Sequence, residues 1–117
     1  NEKEMIMAVP LRMAQDENEY NREAAVKLLN EIAPDMGQEI CEYFIVPTFK
    51  SLGLDTHTFV RITVVKNLLN ISNNVSLEYF SQKIFPLYLE LSQDREEKVR
   101  KSCADVVADI AKVSPLE

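Results

Sequence analysis

The chain has 117 residues, which suits one domain, and at 46% apolar it can bury roughly 65% of its unfolded surface without a disulfide or metal staple. Two glycines are too few for a fold built on tight hairpins, which disfavours an all-β architecture. Thirteen Lys and Arg against nineteen Asp and Glu leave a net charge of −6, which argues against nucleic acid or an anionic membrane surface as the main partner.

The predicted elements are all helices. "EKEMIMAVPLRMA" gives a first helix with an internal proline, and "YNREAAVKLLNEIA" gives a second. In "EICEYFIVPTFKSL", Ile40, Phe44, Ile45, Phe49 and Leu52 fall at helical spacing. "VRITVVKNLLNI" then places Val60, Val64, Leu68 and Ile71 on one face. "LEYFSQKIFPLYLEL" aligns Leu77, Phe80, Ile84, Leu87, Tyr88 and Leu91, and "KVRKSCADVVADIAKV" aligns Val99, Cys103, Val106, Val107 and Ile110. The second and third pairs of helices repeat the first pair's pattern at a fixed interval.

That interval is 39 residues. Asp16, Asp55 and Asp94 are so spaced, and so are Arg22, Arg61 and Arg100. Ile6, Ile45 and Ile84 share a column; so do Ile32, Ile71 and Ile110; Met13, Leu52 and Leu91; and Leu29, Leu68 and Val107. Pro47 and Pro86 also coincide, and in that register they predict a repeated bend; the first unit has Ala8 there, with its proline at Pro10. A period near 40 is the signature of a stacked repeat. We therefore read residues 1–117 as one domain of three two-helix units, approximately 1–37, 38–76 and 77–117.

Each Asp falls where a second helix should begin, the place of an N-cap, and Asp16 to Glu19 and Asp94 to Glu97 fit an acidic capping box. The Arg six residues on lies on the second turn of the helix. From there a guanidinium can reach the Asp of the neighbouring unit and tie the turns into a ladder.

These features resemble HEAT repeats: a first helix with an internal proline, a turn with Asp, then a second helix opening "VR". "FVR" at 59–61 and "KVR" at 98–100 match, and "YNR" at 20–22 departs with Asn21. Within that group, "AAVKLLNEIAPDMGQEICEYFIVPTFKSL" and "RKSCADVVADIAKVSP" are similar to repeats of the scaffold and regulatory subunits of 2A-type phosphatases (phosphatase 2A and phosphatase 4). The resemblance implies an all-α, right-handed α-α superhelix, a HEAT-repeat solenoid with first helices on the convex face and second helices on the concave one. It also implies protein partners (a phosphatase catalytic subunit and a further subunit or substrate) and neither catalysis nor cofactor. HEAT arrays of nuclear transport or vesicle trafficking are the alternative.

Sequence chemistry points the same way. His57 is the single histidine, no metal-ligand spacing accompanies it, and neither a nucleophile motif nor a phosphate loop is present. A small helical enzyme is therefore the disfavoured class. Cys41 and Cys103 lie in apolar helical patterns without C-x-x-C spacing and read as buried thiols of a reducing compartment, cytoplasmic with the nucleus as an alternative. The sequons "NIS" and "NVS" then read as coincidence.

Candidate binding residues are accordingly surface ones. Between Asp and Arg the units differ most, "ENEYN", "THTFV" and "REEKV", which makes Glu19, Tyr20, His57, Thr58, Phe59, Glu97 and Lys98 candidates. Tyr20 and Phe59 share a column: they either cover the neighbouring turn or anchor a partner. Ile62 stands where its siblings have Glu23 and Lys101, and Leu69 where they have Asn30 and Ala108. Either this helix is slightly rotated or an apolar patch faces a partner. Ile62, Leu69, Lys66 and Lys101 complete the candidate set. Met5, Met7 and Val9 at one end and Val113 at the other are expected to expose apolar surface.

Overall fold

The computed structural model describes residues 1–113, and among them every regular element is helical. In chain order they are α1 (Glu2–Met13), α2 (Glu19–Met36), α3 (38–52), α4 (Thr58–Ser72), α5 (77–91), α6 (Glu97–Asp105) and α7 (Val107–Val113). The body measures 40 × 31 × 17 Å, a slab about two helices thick.

One row of helices packs in direct succession: α2 lies on α4, and α4 on α6. Valines, leucines and isoleucines at helical spacing supply that packing. Val26, Leu29, Val64, Leu68, Ile71 and Val99 are all inaccessible to solvent. The other row, α1, α3 and α5, backs onto the first and is parted by open grooves. One groove, of about 480 Å³, is lined by Lys3, Met7, Leu11, Ile40 and Phe44 between α1 and α3. Another, of about 370 Å³, lies between α3 and α5 with Tyr43, Val46, Tyr79 and Lys83 on its walls.

The expected proline bends take a specific form. Cys41–Ile45 of α3 and Phe80–Ile84 of α5 are π-helical turns, 39 residues apart, each two residues short of its proline. Val46 N–H bonds to the Cys41 carbonyl and Phe85 N–H to that of Phe80, one residue further back than in an α-helix. Proline removes an N–H and crowds the carbonyl four residues before it. A widened turn just upstream makes room for the ring. In α1, Pro10 sits in a helix without such a turn.

Five expectations about what is buried need correction. Phe44, Leu77 and Val107 are exposed although their spacing suits the buried face, and Met7 is buried although it lies near an end. The widened turn shifts Phe44 around the helix axis and outward. Leu77 is the first residue of α5, below the packed part of that helix. Val107 follows a break at Val106, whose φ of −113° and ψ of 8° end α6. Val113 is half-buried against the core rather than exposed. Cys41 and Cys103 are buried free thiols, as their patterns suggest.

Candidate protein-binding ridge

The loops before α2, α4 and α6 share one local structure. In each, the Asp side chain accepts the backbone N–H two residues on: Asp16 from Asn18 at 2.8 Å, Asp55 from His57 at 2.9 Å and Asp94 from Glu96 at 2.9 Å. The expected N-cap role is thereby corrected. The caps are Asn18, His57 and Glu96, and the Asp instead closes the turn that delivers them. Asn18 caps with its own side chain, accepting from Tyr20 and Asn21. Capping boxes do not form, because the Asp lies two residues too early for Glu19 or Glu97 to sit at the third helical position.

With the Asp in the turn, its remaining acceptor sites face the neighbouring unit. Arg22 grips Asp55 through Nε–Oδ2 at 2.6 Å and Nη2–Oδ1 at 3.1 Å. Arg61 grips Asp94 the same way at 2.8 and 2.9 Å. Each Arg also donates Nη1 to the carbonyl of its own unit's Asp, at 2.9 Å in Arg22 and 2.7 Å in Arg61. The ladder expected from the spacing is present. Its inner rung is dry: the Arg61 side chain is 2% exposed and that of Asp94 9%.

Burial alone pushes the Asp55 carboxyl up, but the Arg22 hydrogen bond, the His57 N–H and the Arg22 charge outweigh it and hold the group below the usual carboxylate range. Asp94 is likewise driven up by burial and brought below the usual range by Arg61, the Glu96 N–H and the nearby Arg95. The hydrogen bond to Asp55 raises the Arg22 guanidinium further.

Four candidates gather above the outer rung. The Tyr20 and Phe59 rings stack with centroids 5.3 Å apart, and His57 meets Phe59 edge-on at 5.8 Å. His57 Nδ1 lies 3.3 Å from Arg22 Nη2, and its Nε2 lies 3.3 Å from Glu19. Tyr20 is 65% exposed, while Phe59 is half-buried against the core. The two readings of this column thus divide between its members: Phe59 covers the turn and Tyr20 projects from it.

The other candidates are more scattered. Thr58 is half-buried beside His57, and Lys66 lies exposed on α4. Ile62 and Leu69 are half-buried and pack against the core. Asn67, between them in sequence, turns its amide back to the Thr63 carbonyl at 2.7 Å. Glu97, Lys98 and Lys101 are exposed on α6, where Lys101 pairs with Asp105. Among the described residues, no aromatic or ion-pair contact joins these three to the Tyr20–Phe59 cluster.

Two further sets of contacts carry no signal in the sequence. The Thr63 hydroxyl lies 2.8 Å from Glu23 of α2, and Glu42 of α3 accepts the Ser76 N–H while its carbonyl receives the Tyr79 hydroxyl at 2.6 Å. None of the residues in these links repeats at the 39-residue interval, so the signal that revealed the ladder was absent.

Among the described residues, no group of three or more His, Cys, Asp or Glu side chains is placed to hold a metal ion. No helix among them is long and apolar enough to cross a membrane. Comparison with known families finds a HEAT repeat at residues 84–114, a stretch that holds Asp94, Arg100, Cys103 and Ile110. No curated protein matches the chain. The fold is therefore an all-helical assembly carrying a HEAT repeat, a module that generally serves as a protein–protein interaction scaffold.

Proposed function

We propose that this protein is a non-catalytic scaffold and, more specifically, a scaffold or regulatory segment of a 2A-type serine/threonine phosphatase. On this reading the chain forms a right-handed superhelix of three HEAT repeats in one domain, with α2, α4 and α6 on the concave side. Support for the curvature comes from packing: that row is closely joined, while α1, α3 and α5 are parted by grooves. The phosphatase assignment rests on the likeness of residues 24–52 and 100–115 to repeats of such subunits.

The observation that carries the scaffold reading is the division of labour at the ridge. Arg22, Arg61, Asp55 and Asp94 keep one geometry from unit to unit, while the residues between them change. A fixed frame with variable turns is how a repeat protein sets specificity. Glu19, Tyr20, His57, Thr58 and Phe59, with Lys66, Ile62 and Leu69 below them and Glu97, Lys98 and Lys101 beyond, form the proposed contact surface. Exposed tyrosine is a frequent energetic anchor in such contacts.

Affinity capture from cell lysate, repeated at raised salt and read by mass spectrometry, tests the assignment. Recovery of a 2A-type catalytic subunit supports it. Recovery of a specific partner of another kind, without any phosphatase, overturns the phosphatase assignment.

A further inference from the structure

The two grooves along α1, α3 and α5 are built from the same positions, 39 residues apart, yet two of those positions change character. Leu11 and Phe44 line the groove between α1 and α3; one interval on, Lys50 and Lys83 line the groove between α3 and α5. Two apolar side chains are exchanged for two cations at matched places. Both lysines are exposed, and no ion pair engages either one among the described residues. The acid on the same lining, Glu42, is turned to the head of α5, where it accepts the Ser76 N–H at 2.9 Å. In a chain of net charge −6, two such ammonium groups on one groove make a local basic site.

Between the lysines the groove is apolar and its walls are tied together. Val46 is buried, and Tyr43 stands 70% exposed at the rim. The π turn of α3 pairs the Cys41 carbonyl with the Val46 N–H, so the next carbonyl, that of Glu42, falls to Pro47, which has no N–H to give. The Tyr79 hydroxyl of α5 takes that place at 2.6 Å and joins one wall to the other. The result is an apolar seat of about 370 Å³ with a cation on each wall, Lys50 on α3 and Lys83 on α5.

We propose that this groove docks an acidic, extended segment of a partner protein, with one bulky apolar side chain against Val46 and Tyr79 and flanking carboxylates on Lys50 and Lys83. Charge complementarity selects the occupant. A small inorganic anion would meet the ammonium groups and leave the apolar seat unfilled. A wholly apolar segment would cover both lysines without a counter-charge, which costs binding. A nucleic acid would bring its phosphates to a chain that is acidic as a whole. None of the groove residues belongs to the contact surface proposed for the ridge, so the docking of an acidic segment does not depend on which partner the ridge takes.

Fluorescence anisotropy tests this, with the purified chain titrated at low salt into a labelled, capped seven-residue peptide that has leucine at its centre and glutamate elsewhere. Binding should saturate, and it should weaken as salt is raised. Lys50→Glu and Lys83→Glu should each weaken it roughly tenfold, since each sets a carboxylate against the peptide's own. Lys27→Glu, the same change of charge at an exposed place on α2, should leave the affinity nearly unchanged. The chain carrying both Lys50→Glu and Lys83→Glu should instead take the peptide with lysine in place of glutamate. Melting temperatures of the variants, measured alongside, check folding. Absence of saturable binding by the wild-type chain overturns the proposal. So does an equal loss in Lys27→Glu, an all-glutamate peptide that binds as well as the one with leucine, or a single-stranded oligonucleotide of the same charge that binds more tightly.

Discussion

Arg61 and Asp94 form a bidentate pair, Nε–Oδ2 2.8 Å and Nη2–Oδ1 2.9 Å, closed off from solvent where two helix pairs meet. The same guanidinium reaches back to the Asp55 carbonyl at 2.7 Å. One side chain therefore holds its own loop and the next. Removing the carboxylate leaves that charge buried without a counter-ion, which is the costly case for a buried pair. Asp94→Ala should lower stability by about 3 kcal/mol in chemical denaturation. Arg61→Lys should also destabilise, since an ammonium cannot make the forked contact. A change within about 0.5 kcal/mol for Asp94→Ala would mean that the rung contributes nothing net.

Acid should open the ladder. Asp55 and Asp94 have carboxyls lowered from an ordinary value of 3.8. A group whose folded value is depressed contributes stability that is complete above the unfolded value and lost as pH falls through the folded one. The melting temperature should hold down to about pH 4 and then decline, and the decline should be shallower in Asp55→Asn and Asp94→Asn. Equal slopes in wild type and both variants would place the acid sensitivity elsewhere.

The thiols should be inert in the folded state. Burial pushes the Cys103 thiol up to about 11, with the nearby Asp94 adding to it, and Cys41 is raised by the same cause. Thiolate is the reactive form. A thiol reagent at neutral pH should therefore label neither residue until denaturant unfolds the chain. Rapid stoichiometric labelling of the native protein would contradict the packing of α3 and α6.

Stability and binding should separate on the ridge. Tyr20 is mostly exposed, so Tyr20→Ala should move stability by no more than about 0.5 kcal/mol. Ile62 and Leu69 pack against the core, and an aspartate at either place should lower the melting temperature. If Ile62→Asp and Leu69→Asp leave it unchanged, those side chains form a free patch rather than a flank of the core.

How much of this was legible beforehand follows from what repeats. The ladder could be read because Asp and Arg recur at one interval, so stacking successive units sets the Arg of one beside the Asp of the next. Each Asp lies two residues ahead of the cap position that its residue type suggests. N-caps and turn-closing aspartates use the same carboxylate-to-amide bond, and residue type alone does not say which amide is reached. Helical spacing puts Phe44 on the core face only at 3.6 residues per turn, and the π turn ahead of Pro47 breaks that count. Val107 was misplaced for another reason: its siblings Leu29 and Leu68 are buried by a following helix pair, so its column describes an interior position. The Tyr20–Phe59 stack was visible as a column, but which ring would be covered depended on a neighbour.

The most direct test of the scaffold account is a calorimetric titration of this chain with a purified 2A-type phosphatase catalytic subunit, using wild type and Tyr20→Ala side by side. The account predicts saturable one-to-one binding that Tyr20→Ala weakens by roughly tenfold while its melting temperature stays at the wild-type value. Absence of heat and of complex with the wild-type chain, at protein concentrations well into the micromolar range, would contradict it.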